Sequence, residues 1–468
     1  MSERTLRLES IAWSRHQVAL RYSLDGLHFS TANWYPGVDL LGLEARHGRD
    51  FMERLYVHAA LFDMNKVVSL RPRRLDLGPY ARHHTRALER LWRRVLDKVW
   101  AQWRYENELP EEPGPEWTSQ PVAEGSTPQA RRTRAEEVLL FCGGGKDSLV
   151  SMRLLERAGI PHAAFAYASS TYGGVHQQFE LVDRLLDKGT ARQRHRMVVL
   201  EDFMESPVLE LHGAEVGVRT LTAAETPSSI FSALPLMLDK GYPWMVLGHE
   251  ASANRGNLVW ERTGEEVNHQ WGKSLEAERL LDTYVREELV ADVGVFSVLM
   301  PIHDVVIFEL LRQEVDALGA THSCNVRKPW CRRCPKCAYV WLCSRAHLPR
   351  EPVEALFGED LLEVEANALH FEQMVGLGAH TPFECIGQVE ESRLALALCE
   401  ARGLLGPRGK ALARRLPPLE VAPVLERFLT VDTAHAQLPG AVAEGVVPRM
   451  RAAATSARER IMETMGRG

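Results

Sequence analysis

No stretch of this 468-residue chain is apolar for long enough to cross a bilayer, and its first eight residues lack the apolar core of a secretory signal. The expectation is a cytoplasmic protein with no membrane partner. Basic residues are not in excess either. The net charge of −6 gives no electrostatic reason for a nucleic-acid partner. No internal repeat is present. The patterns G-x-x-x-x-G-K-[ST] and G-x-G-x-x-G are both missing, which excludes a Walker A loop and a dinucleotide fingerprint. Cysteine is sparse, eight in all, and four of them fall between 324 and 337, which favours metal ligation over a disulfide framework. With 45% apolar and 25% charged residues the chain has an ordinary globular composition, and its length allows two or three domains.

What is present falls into five stretches. Residues 1–107 read as an α+β unit: strand-like segments at 6–14, 17–23 and 27–34, a turn at Leu24-Asp25-Gly26, then helical pattern at 52–60 and 85–104. Trp92, Trp100 and Trp103 are expected to supply core area. Residues 108–135 carry five prolines and read as a mobile linker. From 136 to 320, apolar strands (162–168, 197–200, 245–248) alternate with helices (177–188, 274–290), which predicts a parallel sheet covered on both faces. Residues 321–345 hold the cysteine cluster, and 346–468 read as mostly helical.

The most informative segment runs from Val138 to Ser148. An apolar strand breaks into Gly143, Gly144 and Gly145, followed by Lys146, Asp147 and Ser148 and a helix with Leu149, Met152 and Leu155 on one face. Glycines let backbone N–H groups approach oxyanions, and the free N–H groups at a helix start favour phosphate there. The bland alternative is a tight turn between core elements. The segment resembles the pyrophosphate loop of ATP pyrophosphatases, with Gly143 in place of the first serine.

Cys324, Cys331, Cys334 and Cys337 have the spacing C-x6-C-x2-C-x2-C, which suits tetrahedral Zn²⁺ held structurally by four thiolates. Cys343 reads as the core side of a helix. Three polar stretches, 249–257, 268–274 and 382–391, hold more amides, acids and histidines than loops need. Each is either a ligand-binding surface or a satisfied internal network. Lys273 precedes a helix start, where it could meet phosphate. Glu384 and Cys385 could exchange protons, although from the residues alone Cys385 reads as a lone buried cysteine.

Together these stretches resemble the ATP-dependent UDP-N-acetylmuramoyl-L-alanyl-L-glutamate epimerases of peptidoglycan synthesis. The matching residues are Gly143–Ser148, Glu250–Ala253, Asn257, Val267–Gln270, Lys273-Ser274, Ser323–Asn325, Trp330-Cys331, Cys334–Cys337 and Pro382–Gly387, in the family's order. The resemblance implies an adenine nucleotide alpha hydrolase-like core, ATP and Mg²⁺ as cofactors, and a peptide-bearing small-molecule substrate. It assigns the 143–148 loop, Glu250 and Asn257 to ATP. It also implies that the substrate's terminal carboxylate is adenylated before its α-proton moves, with Lys146 and Lys273 neutralising pyrophosphate and Asp147 contacting the metal. Cys385, Glu384 and His269, in that order, are the candidates for proton transfer.

Two departures leave the peptide open. Phe62-Asp63-Met64-Asn65-Lys66 stands where the family has Ser-Tyr-Tyr-Lys, and Met300 stands where it tends to have Arg before the proline. Alternative readings are a related epimerase of another peptide, a carboxylate-adenylating ligase of the 7-cyano-7-deazaguanine synthase type, and a zinc-stabilised RNA-binding module.

Overall fold

The computed structural model of the protein describes residues 4–203, 205–212 and 225–466. The ends of the expected first and last stretches (1–3, 467–468) and positions 204 and 213–224 of the central one lie outside the described residues.

Twelve strands form among the described residues. They are β1 (Thr5–Trp13), β2 (Gln17–Leu24), β3 (Leu27–Trp34), β4 (Arg74–Asp76), β5 (Glu116–Trp117), β6 (Val138–Phe141), β7 (His162–Ser169), β8 (Arg194–Glu201), β9 (Trp244–Leu247), β10 (Leu258–Trp260), β11 (Glu265–Val267) and β12 (Gly294–Ser297). Ten make one sheet in the order β12-β9-β6-β7-β8-β3-β2-β1-β4-β5, while β10 and β11 pair as a separate ribbon. The half from β12 to β8 is parallel.

The central strands are apolar runs because both faces are covered. Leu139, Met245 and Val295 enter one core with the helices Arg49–Met64, Glu225–Lys240 and Leu275–Tyr284. Their chain neighbours Leu140, Val246 and Phe296 enter the other, with Lys146–Arg157, Val175–Leu186, Asp304–Arg312 and Gly440–Gly466. The two-residue period of a strand thus divides the core into two.

The N-terminal strands continue this sheet. Antiparallel pairing of Thr31–Trp34 with Val198–Glu201 joins the β1–β3 meander to the parallel half, and the core on that face draws on both. The proline-rich segment 108–135 is pinned at several points. Strand β5 pairs with β4, Gln129 N–H donates to Leu289 O (2.9 Å), and Arg131 N–H donates to Asp292 Oδ1 (2.8 Å). Prolines interrupt regular structure there, but the N–H groups between them still need partners.

The helix expected over 85–104 is two, Arg86–Val99 and Ala101–Glu106, broken at Trp100, which stacks on Trp103 with ring centroids 4.5 Å apart. Both rings are buried, as is Trp92. The helix expected over 274–290 ends in a π turn, Val285–Leu289. Beyond 346 the described chain is mostly helical, and Cys343 is buried in the preceding helix Pro335–His347. No described helix is long and apolar enough to cross a membrane.

Candidate active site

The glycine loop leaves the carboxyl end of β6, where ligands of open α/β sheets sit. Gly145 caps the helix Lys146–Arg157 without a side chain, and Ser148 Oγ accepts the Gly143 N–H (3.1 Å), closing the loop on itself. The three glycines answer to different demands. A Cβ on Gly144, whose φ is +83°, would lie 1.9 Å from the His322 ring, and one on Gly145 would lie 2.7 Å from Ser323 Oγ. The segment leading into the cysteine cluster therefore docks on the loop, with His322 N–H donating to Gly144 O (2.8 Å). Only Gly143 faces open space. Sequence reading assigned all three to phosphate and does not show this second demand, because a steric partner 178 residues away leaves no local mark.

Lys146 is buried, and its Nζ donates to Asp147 Oδ1 (2.6 Å) and to Asp304 Oδ1. Burial alone would pull this ammonium's pKa down, but Asp147 and Asp304 carry it upward. Asp304 Oδ2 also accepts from Tyr339 OH (2.8 Å). Glu250 Oε2 accepts the Ser252 N–H (2.6 Å), and Glu391 Oε2 accepts from Ser252 Oγ (2.6 Å) and the Gln388 N–H (2.9 Å). Burial, then Asp304 and Glu391, pushes the Glu250 carboxyl far above the ordinary range. Burial, then Asp304, pushes Glu391 up to about 7. Three buried acids thus surround one buried lysine. Asp304 was missed by sequence reading, because an acid in a first helical turn is commonplace.

Asn257 gathers the polar stretches. Its Nδ2 donates to Thr381 Oγ1 (3.0 Å) and Pro382 O (2.9 Å), and its Oδ1 accepts the His269 N–H (2.9 Å). Gln270 Nε2 adds a bond to Ile386 O (2.9 Å). These brackets bring Cys385 to Lys273, whose Nζ lies 2.9 Å from the sulfur. A ring nitrogen of His269, a carboxylate oxygen of Glu384 and Cys385 Sγ all lie within 4.8 Å of one another. His269 Nδ1–H donates to Gln102 Oε1 (2.7 Å), which leaves Nε2 for other partners. Glu384 Oε1 accepts from Asn325 Nδ2 (3.0 Å) and from the Cys385 N–H (2.9 Å).

Burial would push the Cys385 thiol up, but Lys273, then Lys336 and His269, bring it down to about 6. The Lys273 ammonium thus favours the thiolate over the thiol. The same ammonium, after burial, holds His249 at about 3. A metal ion between His269, Glu384 and Cys385 would have to sit against the Lys273 ammonium, so the trio is better suited to moving protons than to holding a cation.

In the cysteine cluster the sulfurs of Cys324 and Cys334, and of Cys331 and Cys337, are 3.8 Å apart. A tetrahedron with metal–sulfur arms of ~2.3 Å has edges of about 3.8 Å. Backbone N–H groups of Val326 and Arg327 donate to Cys324 Sγ, that of Arg333 to Cys331 Sγ, and that of Cys337 to Cys334 Sγ. The four sulfurs are placed to hold one metal ion.

Residues 10–181 and 223–298 match the MurL N-terminal domain, more than half of the chain, and residues 320–404 match the MurL C-terminal domain. The chain belongs to the MurL family. Its relatives include proteins named UDP-N-acetyl-alpha-D-muramoyl-L-alanyl-L-glutamate epimerase. That of Micromonospora sp. is 34% identical over 65% of this chain and 66% of its own length. That of Salinispora tropica is 31% identical over 65% and 64%. That of Xanthomonas oryzae pv. oryzae is 29% identical over 56% and 57%. The chain thus spans just under two thirds of the length of the first two. No solved structure matches it.

Proposed function

We propose that this protein is an ATP-dependent epimerase that inverts the terminal L-Glu of UDP-MurNAc-L-Ala-L-Glu, giving the D-Glu peptide with AMP and pyrophosphate for peptidoglycan synthesis in the cytoplasm. The observation that carries the reading is the Cys385 sulfur 2.9 Å from Lys273 Nζ, with Glu384 and His269 within 4.8 Å. This arrangement offers a base together with two further groups able to hand a proton back. The relatives' names supply the substrate.

The α-hydrogen of a free carboxylate resists removal because the carbanion would form beside an anion. Attack of that carboxylate on the α-phosphorus of ATP expels pyrophosphate and removes the charge. The N–H groups at the start of the helix Lys146–Arg157 would receive the phosphates, and Lys146 would orient Asp147. Mg²⁺ at Asp147 would neutralise charge on the departing pyrophosphate. Cys385 then takes the α-proton of the acyl adenylate, and Glu384 or His269 protonates the opposite face. Hydrolysis of the adenylate releases AMP and makes the inversion directional. Cys324, Cys331, Cys334 and Cys337 would hold a structural Zn²⁺, with no open position for an activating water.

The test is incubation with ATP, Mg²⁺ and the UDP-MurNAc dipeptide in D₂O. D-Glu carrying deuterium at its α-carbon, with AMP and pyrophosphate, is the expected result. A product that keeps its L configuration and protium would overturn it. Ammonia-dependent condensation would point instead to a ligase, and RNA retention with unaltered ATP to a binding module. A second reading, epimerisation of another peptide, is favoured by the departure at 62–66, where Lys66 donates to Asp63 Oδ1 (2.8 Å) and to Glu201. Peptides lacking the UDP-sugar, run in parallel, separate the two.

A further inference from the structure

The break at Trp100 sets the short helix Ala101–Glu106 apart from the one before it, and this helix reaches the proton-transfer cluster. Buried Arg104 donates from Nη2 to Glu265 Oε1 (2.6 Å), which ties the helix to β11. Strand β11 ends at Val267 and leads directly into Asn268 and His269. Asn268 fixes the chain there. Its Nδ2 donates to Ala253 O (2.9 Å), and its Oδ1 accepts the Gln270 N–H (2.8 Å). The His269 N–H is taken by Asn257 Oδ1. With the backbone held on both sides, only the ring remains to be placed.

Gln102 places it. This side chain is 8% exposed, and its Oε1 lies 2.7 Å from His269 Nδ1. Its Nε2 donates to Glu106 Oε2 (3.1 Å). The two residues are four apart, so they share one face of the helix. An amide has one accepting and one donating end, whereas a carboxylate only accepts. Glu106 therefore selects the NH₂ end of Gln102 and turns its oxygen toward His269. Reversing the amide would set oxygen against oxygen at Glu106. An amide oxygen facing Nδ1 can be met only by an Nδ1–H. Through Gln102, an exposed glutamate thus dictates which nitrogen of the imidazole keeps its proton.

We propose that Gln102 is a positioning residue of the proton-transfer cluster: oriented by Glu106, it keeps a proton on His269 Nδ1 in both charge states of the ring and makes Nε2 the one atom through which His269 exchanges protons. The inference rests on the reading above for the role of His269. When His269 protonates the substrate's α-carbon, the Nε2–H bond breaks as the C–H bond forms, and the ring falls from imidazolium to the neutral Nδ1–H tautomer. That tautomer keeps its bond to Gln102, so neither ring nor amide turns during the step. Without Gln102 the neutral ring is free to hold its proton on Nε2, where it blocks the working nitrogen.

The test combines nitrogen-15 NMR of the full-length, histidine-labelled protein at alkaline pH with the rate of α-deuterium entry into the UDP-MurNAc dipeptide. The His269 signals are those lost in His269→Gln. Two variants accompany the parent. Gln102→Met keeps the length of the side chain and removes the acceptor. The double exchange Gln102→Glu with Glu106→Gln restores an acceptor facing the ring and a donor behind it. The Nδ1–H tautomer is expected in the parent and the double exchange, and the Nε2–H tautomer or a mixture in Gln102→Met. Gln102→Met should lower kcat for deuterium entry at least ~10-fold, with KM and pyrophosphate release little changed, and the double exchange should regain most of it. An Nε2–H tautomer in the parent, an Nδ1–H tautomer that survives Gln102→Met, or an unchanged kcat in that variant overturns the assignment. Should Gln102→Met fail to fold, the parent and the double exchange decide: Nδ1–H in both supports it, and any other tautomer in either overturns it. The expected tautomers in a protein that does not epimerise would keep the bond from Gln102 to His269 and remove the function proposed above.

Discussion

Lys146 and Lys273 are both buried or nearly so, and both stay ammonium ions, yet their surroundings give them different work. Lys146 sits among carboxylates, bonded to Asp147 and Asp304 with Glu250 and Glu391 nearby. Its charge is consumed in keeping acids together. Lys273 faces one thiol, and that thiol has a higher intrinsic pKa than any carboxylate, so the same charge converts it from a weak acid into a thiolate at neutral pH. A lysine among acids anchors structure. A lysine beside a thiol makes a base.

The cysteine cluster touches both settings, which makes its metal the largest lever on the comparison. Asn325, next to Cys324, holds Glu384, and Tyr339, two residues after Cys337, holds Asp304. Removing the zinc proposed for this cluster with a chelator should unfold the segment and disturb both lysine settings together. Metal analysis should give one zinc per chain. Loss of the metal with an unchanged melting curve would show that the cluster supports neither.

The next largest effect separates the two lysines. Lys146→Met leaves buried carboxylates without their cation and should cost about 3–5 kcal/mol in denaturant unfolding. Lys273→Met leaves a thiol that can simply stay protonated, so its stability cost should be far smaller. Equal losses in the two variants would break the comparison.

Much of this was legible in the sequence, and the reasons are particular. Apolar runs at 138–141 and 244–247 declare buried parallel strands, because both faces are covered. The cysteine spacing declares a tetrahedral set because its members are local. What stayed hidden depends on distant partners. The sequence does not show that the Asn257 amide brackets 269 to 381–382. Nor does it show that His322 and Ser323 pack where a Cβ on Gly144 or Gly145 would stand. The meander 5–34 reads as an independent unit until β3 pairs with β8. The thiolate character of Cys385 is a property of Lys273, 112 residues away.

Lys273→Met also tests the base itself. The folded thiol pKa is about 6, lowered from 9, so the thiolate persists above pH 6 and is lost as pH falls through that value. In the variant the midpoint should return toward 9. The thiolate fraction at pH 7, and with it the rate of Cys385 alkylation and of α-deuterium exchange, should then fall ~100-fold, recovering at high pH. An alkylation midpoint that stays near 6 would assign the shift to Lys336 or His269.

The smallest effect is the sharpest test of independence. Tyr339 OH donates 2.8 Å to Asp304 Oδ2, the oxygen that Lys146 does not use. Tyr339→Phe keeps the ring in its buried site but removes one donor from a buried carboxylate, a loss of about 2 kcal/mol. That loss belongs to the Lys146 setting, because Asp304 makes no bond to Lys273 or Cys385. The melting temperature should therefore drop while the Cys385 alkylation profile keeps its midpoint. Pyrophosphate release should weaken, since Lys146 would lean further toward Asp304 and away from Asp147. If the thiol midpoint moves as well, the two lysines share one electrostatic network, and the separation drawn between anchor and activator fails.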